Sequence, residues 1–333
     1  MVSFTFIVPQ NIIFGWNSLD GIGEELKKRG SGTPIIITSM GMVKRGGFFK
    51  LMDLIRKKEL SPLVFNEVEP EPSIETVEEC LRRAKENGCD LAIGFGGGSV
   101  MDVAKKVAMD LDLPKIMIPT TAGTGSEVTH ESVLKVEGGK RAFVDKRLTA
   151  DVAVVDPSLM MTMSKRLVAS SGMDALAHAV ESYECKKSNE LTRALAHRAY
   201  LLIKDNIRKA ISHDENAISN MALASLMAGM AFGNSGTALC HALTYPLSNK
   251  GIPHGESVAI MLPPALEFNN FEKGVILEVR KIIKDVGLPT SFEGDIHEMA
   301  AVVMKDERHL SNNPRKVTFE DVVTIYKKVV GGL

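Results

Sequence analysis

The stretch LAIGFGGGSVMDVAKK, residues 91–106, decides how the first half of this chain reads. LAIGF is an apolar run of strand length, the glycines after it break that run, and VMDVAKK resumes with helical spacing. Parallel sheets are assembled from units of strand, turn and helix. A helix that opens directly after such a turn aims its free N–H groups and positive end at whatever lies above the strand. Gly96, Gly97 and Gly98 remove Cβ atoms that would block a ligand, and Ser99 adds a hydroxyl donor. A diphosphate meets those conditions. The turn matches neither GxGxxG nor GxxxxGK[ST], so a plain tight turn is the competing reading of the glycines taken alone.

The same alternation extends to both sides. PIIITS (34–39), LVFNEV (63–68) and PKIMIP (114–119) read as strands, and GGFFKLMDLIRKK (46–58) as a helix. IETVEECLRRAKENG (74–88) reads as a helix capped by Ser73 and stopped at Gly88. Strands separated by helices imply a parallel sheet covered on its faces. PTTAGTGSEVT (119–129) follows the fourth strand at its carboxyl end, where ligands of such sheets bind. Thr120 and Thr121 offer hydroxyls there; a Ser/Thr loop satisfying its own backbone is the equal alternative. Near Asp156-Pro157 the pattern changes, and from about residue 164 the periodicity is helical. A boundary at 157–163 gives an α/β domain over 1–157 and an all-helical domain over 158–333. HLSNNPRKVTFED (309–321) reads as a loop into the last helix, with Thr318 and Asp321 near its start.

The 40 basic and 41 acidic residues nearly cancel, and no basic run gives an electrostatic case for nucleic acid. No stretch reaches the ~18 apolar residues of a membrane span. The start MVSFTFIVPQ lacks the pattern of a signal peptide. Cys80, Cys89, Cys185 and Cys240 form no CxxC pair, which speaks for a reducing compartment and a cytoplasmic address. The frequent methionines, as in MALASLMAGMAF (221–232), read as helical core packing.

In GMDALAHAVESY (172–183) Asp174 and His178 are four residues apart, one turn apart on one helix face. His241 and His254 follow in CHALTYPLSNKGIPHGES (240–257). Each alone is an ordinary surface or core residue. Together, one carboxylate and three imidazoles suit Zn²⁺ or Fe²⁺ rather than Mg²⁺ or Ca²⁺, which prefer all-oxygen shells. His130, His197, His213, His297 and His309 lack such companions and read as surface or structural residues.

Taken in order, FIVPQNIIFGWNSLDGIGEEL, GFGGGSVMDVAKK, PTTAGTGSEVT, DPSLMMTMSKRLVASSGMDALAHAVESY and IPHGESVAIMLPPALEFN resemble the iron-containing (group III) alcohol dehydrogenases. The likeness runs along nearly the whole chain. It implies a Rossmann-like α/β dinucleotide-binding domain, an all-α C-terminal domain and an active site in the cleft between them, the fold shared with dehydroquinate synthase. It implies Fe²⁺ or Zn²⁺ on Asp174, His178, His241 and His254. It also implies diphosphate binding at Gly97, Gly98 and Ser99 beside Gly96, and nucleotide contacts at Thr120, Thr121, Lys140 and Leu159. The implied reaction is reversible hydride transfer between NAD or NADP and a small primary alcohol or aldehyde, in a homodimer.

Three departures qualify the likeness. Where the family carries a further histidine near the nicotinamide, this chain has Tyr245, which either takes a polar role toward substrate or fills space. Where NAD-preferring members carry Asp after the strand PIIIT, this chain has Ser39. That loss removes a ribose acceptor and a charge that repels a 2′-phosphate, so the reading leans to NADP, with Lys44 and Arg45 as phosphate partners. The chain is short between LPPALEFNN and LPTSFEGD, so a trimmed helical domain is expected. Competing readings are a phosphonoacetaldehyde-type or lactaldehyde reductase, a glycerol dehydrogenase-like or dehydroquinate synthase-like enzyme and, from another class, a metal-dependent hydrolase.

Overall fold

Alternate residues of a strand point to opposite faces, so a sheet buried on both faces needs strands that are apolar throughout. The strand β4 (Leu91–Gly96) meets this condition, being buried over its whole length. The structure, a computed structural model, describes residues 3–137 and 139–331. It divides the chain into two compact units, Phe6–Thr162 and Met163–Leu333, the second including Met1–Thr5.

In the first unit β4 pairs in parallel with β2 (Pro34–Ile37) and β5 (Lys115–Pro119). Beyond them lie β3 (Leu63–Phe65) on one side, and β8 (Val152–Val155) and β1 (Asn11–Phe14) on the other. The order is β1-β8-β5-β4-β2-β3, with every pair parallel. On one face Ile36, Ile93, Ile116 and Val154 pack against α1 (Ile22–Lys28) and α2 (Gly46–Arg56). On the other, Ile35, Ala92 and Met117 pack against α3 (Ile74–Glu86) and α4 (Gly98–Asp110). The Ser73 hydroxyl caps α3 by accepting from the Thr76 N–H at 3.2 Å, and Gly88 turns the chain at φ +61°.

The four strands read from sequence are present, and the structure adds more. NIIF and VAVV are strands that the sequence reading did not mark. A separate antiparallel hairpin, β6 (Glu131–Val136) and β7 (Gly139–Val144), stands after the TTAGTGSE loop.

The second unit is helical. α5 (Lys165–Glu184), α6 (Glu190–Ala210) and α7 (Glu215–Ser235) each contribute an alanine, Ala179, Ala199 and Ala228, to one buried cluster. Small side chains at such a crossing let helices approach closely. α8 (Leu239–Asn249), α9 (His254–Phe268), α10 (Lys273–Asp285), α11 (Ile296–Val303), α12 (Glu307–Asn312) and α13 (Phe319–Lys327) follow. Thr318 and Asp321 form a reciprocal capping box at the start of α13. The segment beginning HLSNN is not all loop, because α12 occupies residues 307–312, its first turn capped by Asp306. Among the described residues no helix is long and apolar enough to cross a membrane.

Candidate metal centre and cofactor-binding turn

α5 is buried continuously from Gly172 to Ser182, so its polar side chains there must find partners inside the protein. Asp174 and His178 project from it one turn apart. His241 comes from α8 and His254 is the first residue of α9. Asp174 Oδ1 lies 3.2 Å from His254 Nε2, 3.8 Å from His178 Nε2 and 3.9 Å from His241 Nε2. Donor atoms of Asp174, His241 and His254 all lie within 4.8 Å of one another. His178 stands slightly outside that group, its ring stacked between Phe232 at 4.0 Å and His241 at 4.8 Å.

Asp174 Oδ1 and His241 Nε2 are both buried and have no hydrogen-bond partner. Buried polar atoms left in this state are costly, and a divalent cation would satisfy both at once. Burial alone would raise the Asp174 pKa; the facing imidazoles of His178, His254 and His241 outweigh it and hold the carboxyl well below the usual range. A carboxylate that stays ionised in a dry pocket beside imidazole nitrogens is a ready donor set for Fe²⁺ or Zn²⁺.

Sequence reading did not single out Glu181, which completes this arrangement. It is buried one turn beyond His178 on α5. One carboxylate oxygen accepts from His241 Nδ1 at 2.5 Å and the other from the Cys240 N–H at 2.6 Å. An ionised carboxylate only accepts, so the proton sits on Nδ1 and the Nε2 lone pair faces Asp174. An acid seven residues after Asp174 is the signal that could have found it, since that spacing returns to the same helix face.

His309 is a second residue that the sequence did not single out. It was expected at the surface or in a structural place on a loop, but it is 5% exposed, on α12, with its ring 6.2 Å from His241. What the structure corrects is the loop assignment, since the segment read as loop from residue 309 opens inside α12. Tyr245 stands one turn after His241 on α8, edge-on to His309 with ring centres 5.6 Å apart.

In the first unit the glycine turn joins β4 to α4. The Thr120 N–H donates to the Gly96 carbonyl at 2.9 Å, which fixes the glycine turn and the threonine loop side by side. A Cβ on Gly98 would stand 2.8 Å from Thr124 Cγ2, so Gly98 allows the threonine loop to lie against the helix start. At Gly97 a Cβ would make only ordinary contact with Thr121 at 3.5 Å. Ser99 Oγ accepts from the Glu71 N–H at 3.3 Å, and the Glu71 carboxylate pairs with Lys140 at 2.5 Å. Ser99 and Lys140 are thus tied to one acidic residue. Thr120 and Leu159 line a cavity of about 170 Å³ together with Met42, Arg45 and Phe95. Arg45 donates to the Thr162 hydroxyl at 3.1 Å, Lys44 is exposed and Ser39 is half-buried.

Beneath the threonine loop lies a lysine that the sequence did not flag. Lys105 on α4 has no exposed surface. Its ammonium donates to the Ser126 carbonyl at 2.9 Å, Ser126 Oγ at 2.7 Å and Thr129 Oγ1 at 3.1 Å, and also to the Glu131 carbonyl. Asp102 accepts from Ser126 Oγ at 2.9 Å and the Val133 N–H at 3.2 Å. Burial pushes the Glu127 carboxyl in this loop up to about 7.

Comparison with known proteins follows this division. Residues 9–157 match the model of the iron-containing alcohol dehydrogenases, and residues 168–288 match the C-terminal model of the same family. The chain is 33% identical to long-chain-alcohol dehydrogenase 1 of Geobacillus thermodenitrificans, over 96% of its length and 94% of the relative's. It is 32% identical to the 1,3-propanediol dehydrogenase of Citrobacter freundii, over 98% of each. Among solved structures it is similar to the sulfoacetaldehyde reductase of Bifidobacterium kashiwanohense in complex with NAD+. The TM-score there is 0.91, with 28% identity over 99% of both chains. The chain belongs to the iron-containing alcohol dehydrogenase family.

Proposed function

We propose that the protein is a metal-dependent, nicotinamide-linked alcohol dehydrogenase and aldehyde reductase acting on small primary alcohols and aldehydes. The observation that carries the metal-dependent part is the buried, unpartnered pair of Asp174 Oδ1 and His241 Nε2. Family membership sets the hydrolase reading aside.

Asp174, His178, His241 and His254 would hold the ion. Iron is the first choice, from the family, and Zn²⁺ suits the same donors. When bound, the ion supplies a Lewis acid that stabilises negative charge on the substrate oxygen, and the nicotinamide supplies or accepts the hydride. Glu181 keeps the His241 proton on Nδ1 and leaves Nε2 a donor of electrons. Gly97, Gly98 and Ser99 at the α4 N-terminus would take the diphosphate, and Thr120 and Leu159 would flank the nucleoside in their cavity. In this reading dinucleotide binding belongs to residues 1–157 and metal binding to 158–333. The enzyme works in the cytoplasm as a homodimer.

NADP(H) is proposed as the preferred cofactor. Position 39 holds no carboxylate, and Glu67, bridged to Ser39 through the backbone, is neutralised by Arg83 at 2.8 and 3.0 Å. Arg45 lines the cavity. The test is oxidation of NADPH and NADH over a panel of small aldehydes, on protein loaded with Fe²⁺ or Zn²⁺. Absence of oxidation with either cofactor under both metals sinks the assignment. Ser39→Asp is expected to move the NADPH/NADH ratio of kcat/KM at least about tenfold toward NADH, because one close like-charge contact is worth about 1.4 kcal/mol or more. An unchanged ratio removes residue 39 from cofactor choice.

The buried lysine gives a second expectation. Lys105→Met leaves Asp102, whose Oδ1 lies 3.5 Å from the ammonium, without its cation and several oxygens of the threonine loop without a donor. Breaking a buried pair of this kind costs about 3 kcal/mol. Equilibrium titration with NADPH is expected to show at least tenfold weaker binding, while metal content stays that of the parent. Parent-like cofactor affinity would show that the loop holds its place without Lys105.

A further inference from the structure

His309 carries more than packing. Its Nδ1 lies 2.6 Å from Asp306 Oδ2, and its backbone N–H donates to Asp306 Oδ1 at 3.2 Å. The ring is nearly parallel to that of His241, at an interplanar angle of 19°. On its other contact it meets Tyr245 edge-on. Its place is fixed from below. Asn312 donates to the Ser235 and Thr237 carbonyls, each at 2.9 Å, and its own carbonyl accepts from the Lys186 N–H at 2.9 Å. α12 is therefore pinned to the connection between α7 and α8, and the imidazole is held beside the donor cluster.

Burying an imidazole against a half-buried carboxylate is expensive when a leucine would fill the same volume. With Nδ1 committed to Asp306, Nε2 lies on the opposite edge of the ring. We propose that His309, oriented by Asp306 and flanked by Tyr245, is a specificity-determining residue. It offers Nε2 to a second polar group of the substrate, so the site selects small aldehydes that carry a hydroxyl on the carbon next to the carbonyl. The inference rests on the reductase reading above and adds the substrate class. The reacting oxygen belongs at the donor cluster, and a group one ring away meets what the adjacent carbon carries. A site built to hydrogen-bond a substrate hydroxyl discriminates strongly against the analogue lacking it, because its own polar group is then left unpaired.

Glycolaldehyde and propanal test this, since they differ by a hydroxyl in place of a methyl. The parent enzyme is expected to favour glycolaldehyde in kcat/KM. His309→Leu is expected to lower that value at least tenfold, through KM, with propanal changed less than twofold. His309→Gln, which keeps a hydrogen-bonding group, is expected to recover part of the loss, and Asp306→Asn to fall between parent and His309→Leu. Should His309→Leu fail to fold, the Gln and Asn variants read the same discrimination. Calorimetric binding of ethane-1,2-diol against propan-1-ol to the metal-loaded protein reads the preference without turnover. A protein that prefers the diol but reduces no aldehyde would overturn the proposed function and leave this inference standing. No preference in the parent, or equal losses on both substrates in the variants, overturns the inference.

Discussion

Asp174→Ala is expected to lose its metal and to retain less than about one thousandth of parental turnover, since the missing Lewis acid is worth several kcal/mol of transition-state stabilisation. The carboxylate is the common neighbour of all three imidazoles, at 3.2 to 3.9 Å, and the single anionic donor of the set. Without it three nitrogen lone pairs remain, and no negative charge balances a divalent ion. Glu181→Gln gives the graded companion. It touches His241 and not the ion, and outer partners of this kind are worth about 10- to 100-fold in metal affinity. Metal analysis after dialysis, paired with NADPH oxidation, checks both. Full activity in metal-free Asp174→Ala protein would end the metal-dependent account.

The second large effect comes from a methyl group. A Cβ on Gly255 would stand 2.2 Å from the Ser170 carbonyl oxygen and 2.6 Å from its carbon, both backbone atoms that cannot rotate aside. Either α5 or the start of α9 must move. His254 immediately precedes Gly255, and Asp174 lies one turn beyond Ser170, so the displacement separates two donors that now stand 3.2 Å apart. Overpacking costs about 1–3 kcal/mol even where side chains can adjust. Gly255→Ala is therefore expected to lower the melting temperature of the metal-free protein by about 5 °C and to weaken metal binding by tenfold or more. Unchanged values of both would mean that the α5–α9 contact yields without disturbing the donors. The PHG triplet thus joins a donor to a glycine whose missing side chain lets its helix reach the carboxylate.

Much of this was legible before any coordinates. The strand–glycine–helix unit at 91–106 gave the parallel sheet because fully buried strands and amphipathic helices leave different periodicities. The Asp174–His178 pair was visible because both residues lie on one helix within one turn. His241 and His254 could be grouped with it only by donor chemistry and the family likeness, since no local pattern reports that α8 and α9 fold back onto α5. Glu181 and His309 were missed for related reasons. A buried glutamate on a helix looks like any surface acid until the helix is known to be enclosed. His309 acquires its neighbours through α12, a six-residue helix too short to leave a period. Lys105 shows the same limit from the other side: nothing in AKK marks a buried cation, yet its first lysine points inward to four oxygens.

The donors sit on three helices, α5 well before the consecutive pair α8 and α9, and they converge only after α8 and α9 have docked on α5. An ion that binds this assembled end and no unfolded chain acts as a folding ligand, deepening stability in proportion to the logarithm of its free concentration. Copies made while the cation is scarce would open at that end more often, and local opening is what proteases sample.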